Sequence, residues 1–221
     1  MTSKVKNIIF DLGNVLFTWA PEEVLTRICS PKLKMTFNEL PDAIVSIWRE
    51  FDRGKIAESD LRHEFAMILN VSVELVDLLL DSLKQSLNPI PETVTLLHRL
   101  HYAGHPLYCL SNISTSFGSY LRNRNYFFTL FTGIIFSAEV KTIKPELEIY
   151  RILCNRYRIR PHESIFIDDR IENIKAAENL GFHTILFTSY ANMEPKLLRL
   201  LDYSIPSVSR INGMKRLHGK N

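Results

Sequence analysis

The apolar residues of this chain follow two periodicities, which separate a helical segment from a segment of alternating strands and helices. A short apolar run at 5–10 ends at an acidic residue and is typical of a buried strand. From 18 to about 86 the apolar residues recur at helical spacing only, and Pro21, followed by two glutamates, favours a helix start. Further helices are predicted to end near Gly54 and to cover 59–69 and 73–83.

Beyond a helix predicted at 91–103, the order strand then helix recurs four times. Single helices between strands imply right-handed crossovers, so this pattern predicts an α/β fold with a doubly wound parallel sheet. The strands are expected at 106–110, 133–136, 164–167 and 183–187, and the helices that follow them at 116–124, 146–156, 171–180 and 194–201.

The helical segment interrupts the predicted sheet after its first strand. We therefore expect a Rossmann-like core made of 1–17 and 87–202, with a small helical cap domain inserted at 18–86. The remaining residues, 203–221, carry four lysines and arginines and no acid, which is typical of a basic, poorly ordered tail.

Composition and charge exclude several classes of protein. The 221 residues are 46% hydrophobic and 23% charged, as in globular proteins that bury a core. No run approaches about 18 apolar residues, so no membrane association is expected. The net charge is only +3, and the tail accounts for it, so no nucleic-acid partner is expected. Three cysteines without a CxxC pair predict no disulfide framework and favour a cytoplasmic location.

Chemically active residues follow the predicted strands at their carboxyl ends, where ligands bind in doubly wound sheets. Each alone is more often a helix cap, a turn or a surface lysine, so the inference depends on their joint placement at one edge. They are Asp11 after the first strand, Ser111 and Asn112 after the second, Lys144 after the third, and Asp168 and Asp169 after the fourth, with Asn173 one helical turn beyond.

Four segments in this order resemble the motifs of the haloacid dehalogenase-like hydrolases. They are IIFDLGNVL at 8–16, YCLSN at 108–112, KPELEIY at 144–150 and IFIDDRIENIKAA at 165–177. The helical insertion is similar to the first cap type of that family. The DLGNV sequence resembles the first motif of bacterial sugar-phosphate phosphatases, including ones that act on glucose 1-phosphate.

This resemblance implies a Mg²⁺-dependent phosphatase that hydrolyses small phosphorylated metabolites, such as sugar phosphates, through an aspartyl-phosphate intermediate. In that interpretation Asp11 is the nucleophile, and Lys144 pairs with it and with the phosphate. The other implied roles are phosphate binding by Ser111 and Asn112, metal binding by Asp11, the Gly13 carbonyl and Asp169 with Asp168 near or in the shell, and support of the Asp169 loop by Asn173.

Gly13 departs from the family pattern, because most of these phosphatases carry a second aspartate there as the general acid and base. Loss of a positioned acid typically costs about 10²–10⁴-fold in rate. His63 and Asp60 of the insertion are candidate replacements, although a helix histidine is more often a surface residue. Arg49 of the insertion is a candidate for binding the substrate's hydroxyls or a second phosphate.

Two alternatives stay open on the sequence alone. Gly13 favours a catalytically weak or inactive protein that binds a phosphorylated ligand or another protein. A 2-haloacid dehalogenase-like hydrolase works without metal in this family, and the adjacent acids Asp168 and Asp169 disfavour it. The chain lacks GxGxxG, P-loop and GxSxG motifs, which excludes dinucleotide binding, P-loop NTPase chemistry and a serine-hydrolase site.

Overall fold

The computed structural model describes residues 5–28 and 39–202, so the predicted basic tail at 203–221 lies outside the described residues. Five strands in the described ranges form one parallel sheet in the order β3-β2-β1-β4-β5. The predicted doubly wound parallel sheet is confirmed. The strands are β1 (Asn7–Phe10), β2 (Leu107–Ser111), β3 (Gly133–Phe136), β4 (Ser164–Asp168) and β5 (His183–Leu186).

The three central strands, β1, β2 and β4, are buried along their whole length. Parallel strands covered by helices on both faces are expected to be continuously apolar, and the NIIF sequence of β1 fits this rule. Successive side chains alternate between the faces of a sheet. Ile8 and Phe10 accordingly pack into one core cluster, whereas Ile9 packs into the other.

Ten α-helices are present in the described residues, and most begin within a few positions of the predicted start. None of them is long and apolar enough to cross a membrane. They are α1 (Pro21–Ile28), α2 (Asp42–Asp52), α3 (Glu58–Leu69), α4 (Val73–Ser86), α5 (Pro91–Tyr102), α6 (Thr115–Arg124), α7 (Ser137–Val140), α8 (Leu147–Tyr157), α9 (Ile171–Glu178) and α10 (Tyr190–Leu201), with 3₁₀ turns at Tyr126–Leu130 and Pro161–Glu163.

Two differences from the predicted elements have local causes. Helix α10 begins at Tyr190 rather than 194, because the Ser189 hydroxyl accepts a hydrogen bond from the Asn192 N–H and caps the helix. Helix α7 was not predicted, since four residues are too few for a helical period.

The helices between β1 and α5 pack against one another. Helix α4 contacts both α1 and α3, and α2 contacts α3. Their buried side chains, such as Leu61 and Leu80, belong to the same apolar cluster as Ile8 and Phe10 of the sheet. The division into a core domain and a cap domain stays a prediction.

Candidate active site

The carboxyl ends of the three central strands meet in one cavity of about 170 Å³, which we call the acidic cavity. Asp11 follows the last residue of β1, and Ser111 is the last residue of β2. Asp169 follows the last residue of β4, and Lys144 enters from the loop before α8. All four line the cavity, so the topology brings together residues that are distant in sequence.

Lys144 is the centre of the buried polar network. Its Nζ atom lies 2.8 Å from Asp11 Oδ1, 2.6 Å from Asp168 Oδ2 and 2.9 Å from the Leu110 carbonyl oxygen. These three acceptors match the three hydrogens of an ammonium group. Burial lowers the pKa of Lys144, but the two carboxylates outweigh it, so the pKa is raised and the lysine stays charged.

Asp168 is fully buried, and both of its carboxylate oxygens are engaged. Oδ1 accepts hydrogen bonds from the Arg170 N–H at 2.8 Å and from Asn173 Nδ2 at 2.9 Å. Oδ2 accepts from Lys144 and from Asn173 Nδ2 at 3.1 Å. Asp168 therefore orients Lys144, and Asn173 in turn orients Asp168.

Asn112 was expected to bind substrate, and the structure shows its side chain bound to the backbone of Lys144. Its Nδ2 donates to the Lys144 carbonyl at 2.9 Å, and its Oδ1 accepts from the Lys144 N–H at 2.7 Å. Although Asn112 lines the acidic cavity, these two bonds make it a support for Lys144. The peptide bond that follows, between Lys144 and Pro145, is cis.

Asp11, Asp168 and Asp169 form a group suited to a hard cation. One carboxylate oxygen from each lies within 4.8 Å of the others, and oxygen ligands of this kind are what Mg²⁺ prefers. Burial raises the pKa of Asp11 to about 7, although Lys144 opposes the shift, and burial also raises the pKa of Asp169. Among the described residues Lys144 is the cation paired with these carboxylates, because the Arg170 guanidinium at the cavity pairs with Glu172, so the cluster favours additional positive charge.

Gly13 lines the acidic cavity and leaves room for a side chain. A Cβ atom built there would have Trp19 Cβ as its nearest neighbour, at 3.8 Å, which is ordinary van der Waals contact. The backbone at Gly13 is not in the left-handed region, unlike that of Asn14, whose φ is 53°. Neither space nor backbone conformation therefore requires glycine at this position.

Asp52 is a cavity residue for which no role was predicted from the sequence. It is the last residue of α2 and lines the acidic cavity. The Trp48 indole and the Ser114 main-chain N–H hydrogen-bond to its carboxylate, yet burial raises its pKa to about 7. The sequence pattern that could have identified Asp52 is its spacing of one helical turn from Trp48, because residues at this spacing share one face of a helix.

The turn that holds Asp52 is attached to α7 and to the loop after it by several contacts. Ser137 Oγ donates to the Asp52 carbonyl, and Lys141 Nζ donates to the Gly54 carbonyl. Arg53 forms two parallel hydrogen bonds to Glu146, each 2.7 Å long. Gly54 has a φ of 73°, and a Cβ atom there would meet the Ala138 oxygen at 2.6 Å. This close approach fixes the end of α2 beside the acidic cavity.

The other candidates from the insertion lie outside the acidic cavity. Arg49 is exposed, because the residue after Trp48 is rotated by about 100° around the helix. Asp60 and His63 are exposed on α3, and His63 Nδ1 lies 2.7 Å from the Ser59 carbonyl of its own helix. None of the three lines the cavity that holds Asp11.

Comparison with known proteins gives a consistent family. The family model described as haloacid dehalogenase-like hydrolase matches residues 5–181. A sesquiterpene phosphatase of Aspergillus oryzae is 32% identical over 82% of this chain and 89% of its own. A HAD family enzyme of Bacteroides thetaiotaomicron, solved with magnesium and inorganic phosphate, is 24% identical with a TM-score of 0.69, covering 82% of this chain and 93% of that chain. The (S)-2-haloacid dehalogenase 4A of Burkholderia cepacia is 23% identical over 77% of this chain and 80% of its own.

Proposed function

The chain belongs to the haloacid dehalogenase-like hydrolases, and from this premise we propose that it is a Mg²⁺-dependent phosphatase of phosphomonoesters. The observation that carries the proposal is the buried pair of Asp11 and Lys144 in a cavity with two further carboxylates. A carboxylate is a competent nucleophile towards phosphorus, and the surrounding charges suit a metal-bound phosphate. The phosphatase from Aspergillus and the Mg²⁺–phosphate complex from Bacteroides support the same chemistry.

The metal site would use the oxygen-rich end of the acidic cavity. Asp11, the Gly13 carbonyl and Asp169 would hold Mg²⁺. Asp168 would lie next to the coordination shell of the metal and not in it, since both of its carboxylate oxygens already accept hydrogen bonds. When bound, Mg²⁺ supplies positive charge that offsets the charge of the transferred phosphoryl group.

Asp11 would attack the phosphorus atom, forming an O–P bond while the P–O bond to the alcohol breaks. Its Oδ1 atom is held by the Leu12 N–H at 2.7 Å and by Lys144, so the carboxylate needs little reorganisation. Water then cleaves the aspartyl-phosphate, which restores Asp11 and releases inorganic phosphate. Ser111 would hold a phosphoryl oxygen, since it lines the same cavity.

Asp52 is our candidate for the proton donor that Gly13 does not provide. It borders the acidic cavity from the side of the insertion, and its pKa of about 7 lets it donate and accept a proton near neutral pH. The leaving alkoxide would take the Asp52 proton, and the resulting carboxylate would accept a proton from the attacking water in the second step. The contacts of the 52–54 turn with α7 and with Glu146 keep this carboxylate in place.

The alcohol part of the substrate has two precedents. The DLGNV motif resembles sugar-phosphate phosphatases, whereas the relative from Aspergillus is named for sesquiterpenes. The geometry around Asp11 supports phosphomonoesters as a class, whichever alcohol the ester carries.

The function is tested by release of inorganic phosphate from acetyl phosphate, p-nitrophenyl phosphate and a panel of phosphorylated metabolites. We expect release that needs Mg²⁺ and stops in Asp11→Asn. Halide release from 2-chloropropionate that survives chelation would instead support a dehalogenase. Binding of phosphate esters without any turnover would support the non-catalytic alternative that Gly13 raised.

A further inference from the structure

A second cavity, of about 260 Å³, lies within the helices of the insertion, and we call it the apolar cavity. Each of the four helices described between β1 and α5 contributes to its wall, through Leu25 of α1, Ile44 of α2, Phe65 of α3 and Leu79 of α4. Each of these side chains is buried. The cavity is therefore a built feature of the helical packing.

The apolar cavity adjoins the acidic cavity. Trp19, Trp48, Asp52 and Arg170 line both. The rings of Trp19 and Trp48 lie 6.0 Å apart at the junction, with an interplanar angle of 31°. A molecule whose phosphoryl group lies against Asp11 can therefore extend its organic part past these indoles.

The two cavities differ in the charge of their lining residues. Among the described residues that line the apolar cavity, only Asp52 and Arg170 are charged, and both belong to the junction. The wall beyond the junction offers aliphatic and aromatic side chains. Sugar hydroxyls placed there would lose hydrogen bonds to water without side-chain partners in return, whereas a hydrocarbon would gain from leaving water.

We propose that the substrate is the phosphate monoester of an apolar alcohol, with its hydrocarbon chain in the apolar cavity and its ester oxygen at the junction. The inference rests on the proposed phosphatase function and specifies its substrate class. A cavity of about 150 Å³ holds benzene, so the volume here has room for roughly ten carbon atoms. The position of Asp52 at the junction also places a proton donor beside the ester oxygen.

The first test compares kcat/KM for straight-chain alkyl phosphates from two to twelve carbons, each below the concentration at which it forms micelles. Acetyl phosphate, too short to reach the apolar cavity, measures the phosphoryl end alone, and glucose 1-phosphate is the polar comparison. We expect kcat/KM to rise by up to about fourfold for each added methylene group. The rise should level off at roughly ten carbons, when the cavity is full.

The second test places a charge at the wall without threatening the fold. Val45 lines the apolar cavity although its side chain is 56% exposed, and Met67 of α3 is 69% exposed but outside the lining. We expect Val45→Asp to lower kcat/KM for decyl phosphate by about tenfold or more, because a carboxylate beside the chain must lose water. Turnover of acetyl phosphate should not change. Met67→Asp, the matched control, should change neither.

The outcomes separate this inference from the function on which it rests. Turnover of acetyl phosphate with no dependence on alkyl chain length, or a preference for glucose 1-phosphate over decyl phosphate, would overturn the substrate class and leave the phosphatase intact. An equal loss in Val45→Asp and Met67→Asp would overturn the location of the chain. Absence of phosphate release from every substrate in Mg²⁺ would overturn both proposals.

Discussion

At the scale of single residues, the site depends on one buried cation that is shared by two carboxylates. Lys144 reaches Asp11 and Asp168 at 2.8 Å and 2.6 Å, and the Asn112 side chain holds its backbone. Breaking a buried ion pair is costly, because the remaining charge keeps its desolvation penalty. Asp168 would remain as a partner of Lys144 if Asp11 lost its charge, and this redundancy makes a nucleophile variant informative.

We expect Asp11→Asn to lower kcat by roughly 10⁴-fold or more, because an amide of the same shape cannot attack phosphorus. The variant should remain folded. Burial raises the pKa of Asp11 from 3.8 to about 7, so without metal the free energy of unfolding of the parent decreases as pH rises between these values. Above pH 7 the free energy of unfolding of Asp11→Asn should therefore equal or exceed that of the parent. A folded variant with about a tenth of the parent activity would show that Asp11 is not the nucleophile.

Asp52→Asn tests the proton donor. We expect kcat/KM on alkyl phosphates to fall by about 10²–10⁴-fold, with a much smaller loss on aryl phosphates, whose leaving groups need little protonation. The parent's kcat/KM on alkyl phosphates should decline as pH rises through about 7, where Asp52 loses its proton, and this decline should be absent in the variant.

Gly13→Asp provides the rescue for that experiment. A side chain fits at Gly13, because Trp19 is the nearest described residue, other than the chain neighbours, to the new Cβ atom, at 3.8 Å. The double variant Gly13→Asp/Asp52→Asn should have a kcat/KM on alkyl phosphates at least tenfold higher than that of Asp52→Asn, because a carboxyl group again borders the cavity. Equal losses on alkyl and aryl phosphates in Asp52→Asn, without rescue, would mean that Asp52 positions the substrate and does not donate a proton.

At the scale of elements, the 52–54 turn at the end of α2 connects the helical insertion to the part of the chain that follows β3. Its contacts with α7 and the neighbouring loop hold Asp52 at the cavity and involve a helix that was not predicted from the sequence. The sequence pattern nevertheless predicted the strands closely, because buried parallel strands are short apolar runs bounded by polar residues. The spacing of Asp52 from Trp48 indicated a shared helix face, but the role of Asp52 depends on tertiary contacts with Ser114 and Ser137 that the sequence does not specify. Asn112 was predicted at the right place, but its bonds to Lys144 are likewise visible only in the fold.

Gly54→Ala tests whether the 52–54 turn positions Asp52. Gly54 and Gly104 both have a positive φ, of 73° and 82° respectively. A Cβ atom at Gly54 would lie 2.8 Å from the Ala138 Cα atom, whereas one at Gly104 would have no contact within 4 Å among the described residues. Gly104→Ala should therefore cost only the backbone strain, about 1–2 kcal/mol of unfolding free energy. Gly54→Ala should cost more and should also lower kcat on alkyl phosphates by about tenfold, because α2 must move away from α7. Similar activities for the two variants would show that the contacts of the 52–54 turn do not determine the position of Asp52.

At the scale of the whole molecule, the order of the strands decides which residues meet. The sequence order places Asp11 and Asp168 far apart, and the sheet order β3-β2-β1-β4-β5 makes their strands neighbours. This part of the site was predictable, because carboxyl ends of parallel strands share one edge of a sheet. The apolar cavity was not, because its wall comes mostly from helices whose mutual packing a hydrophobic pattern does not specify.

The cluster of carboxylates at this edge of the sheet predicts an effect of Mg²⁺ on thermal stability, which can be measured without an activity assay. An ion that binds only the folded protein stabilises it, by about 2.7 kcal/mol when its concentration is 100 times its Kd. For a chain of this size, Mg²⁺ should thus raise the midpoint of thermal unfolding by roughly 5–10 °C. Asp169→Asn should lose most of this shift, since Asp169 is the carboxylate of the cluster that Lys144 does not hold. Asp60→Asn removes one charge from the exposed surface of α3 and should keep the shift. Equal shifts in the two variants would mean that Mg²⁺ binds elsewhere on the protein, and no shift in the parent would contradict the metal site itself.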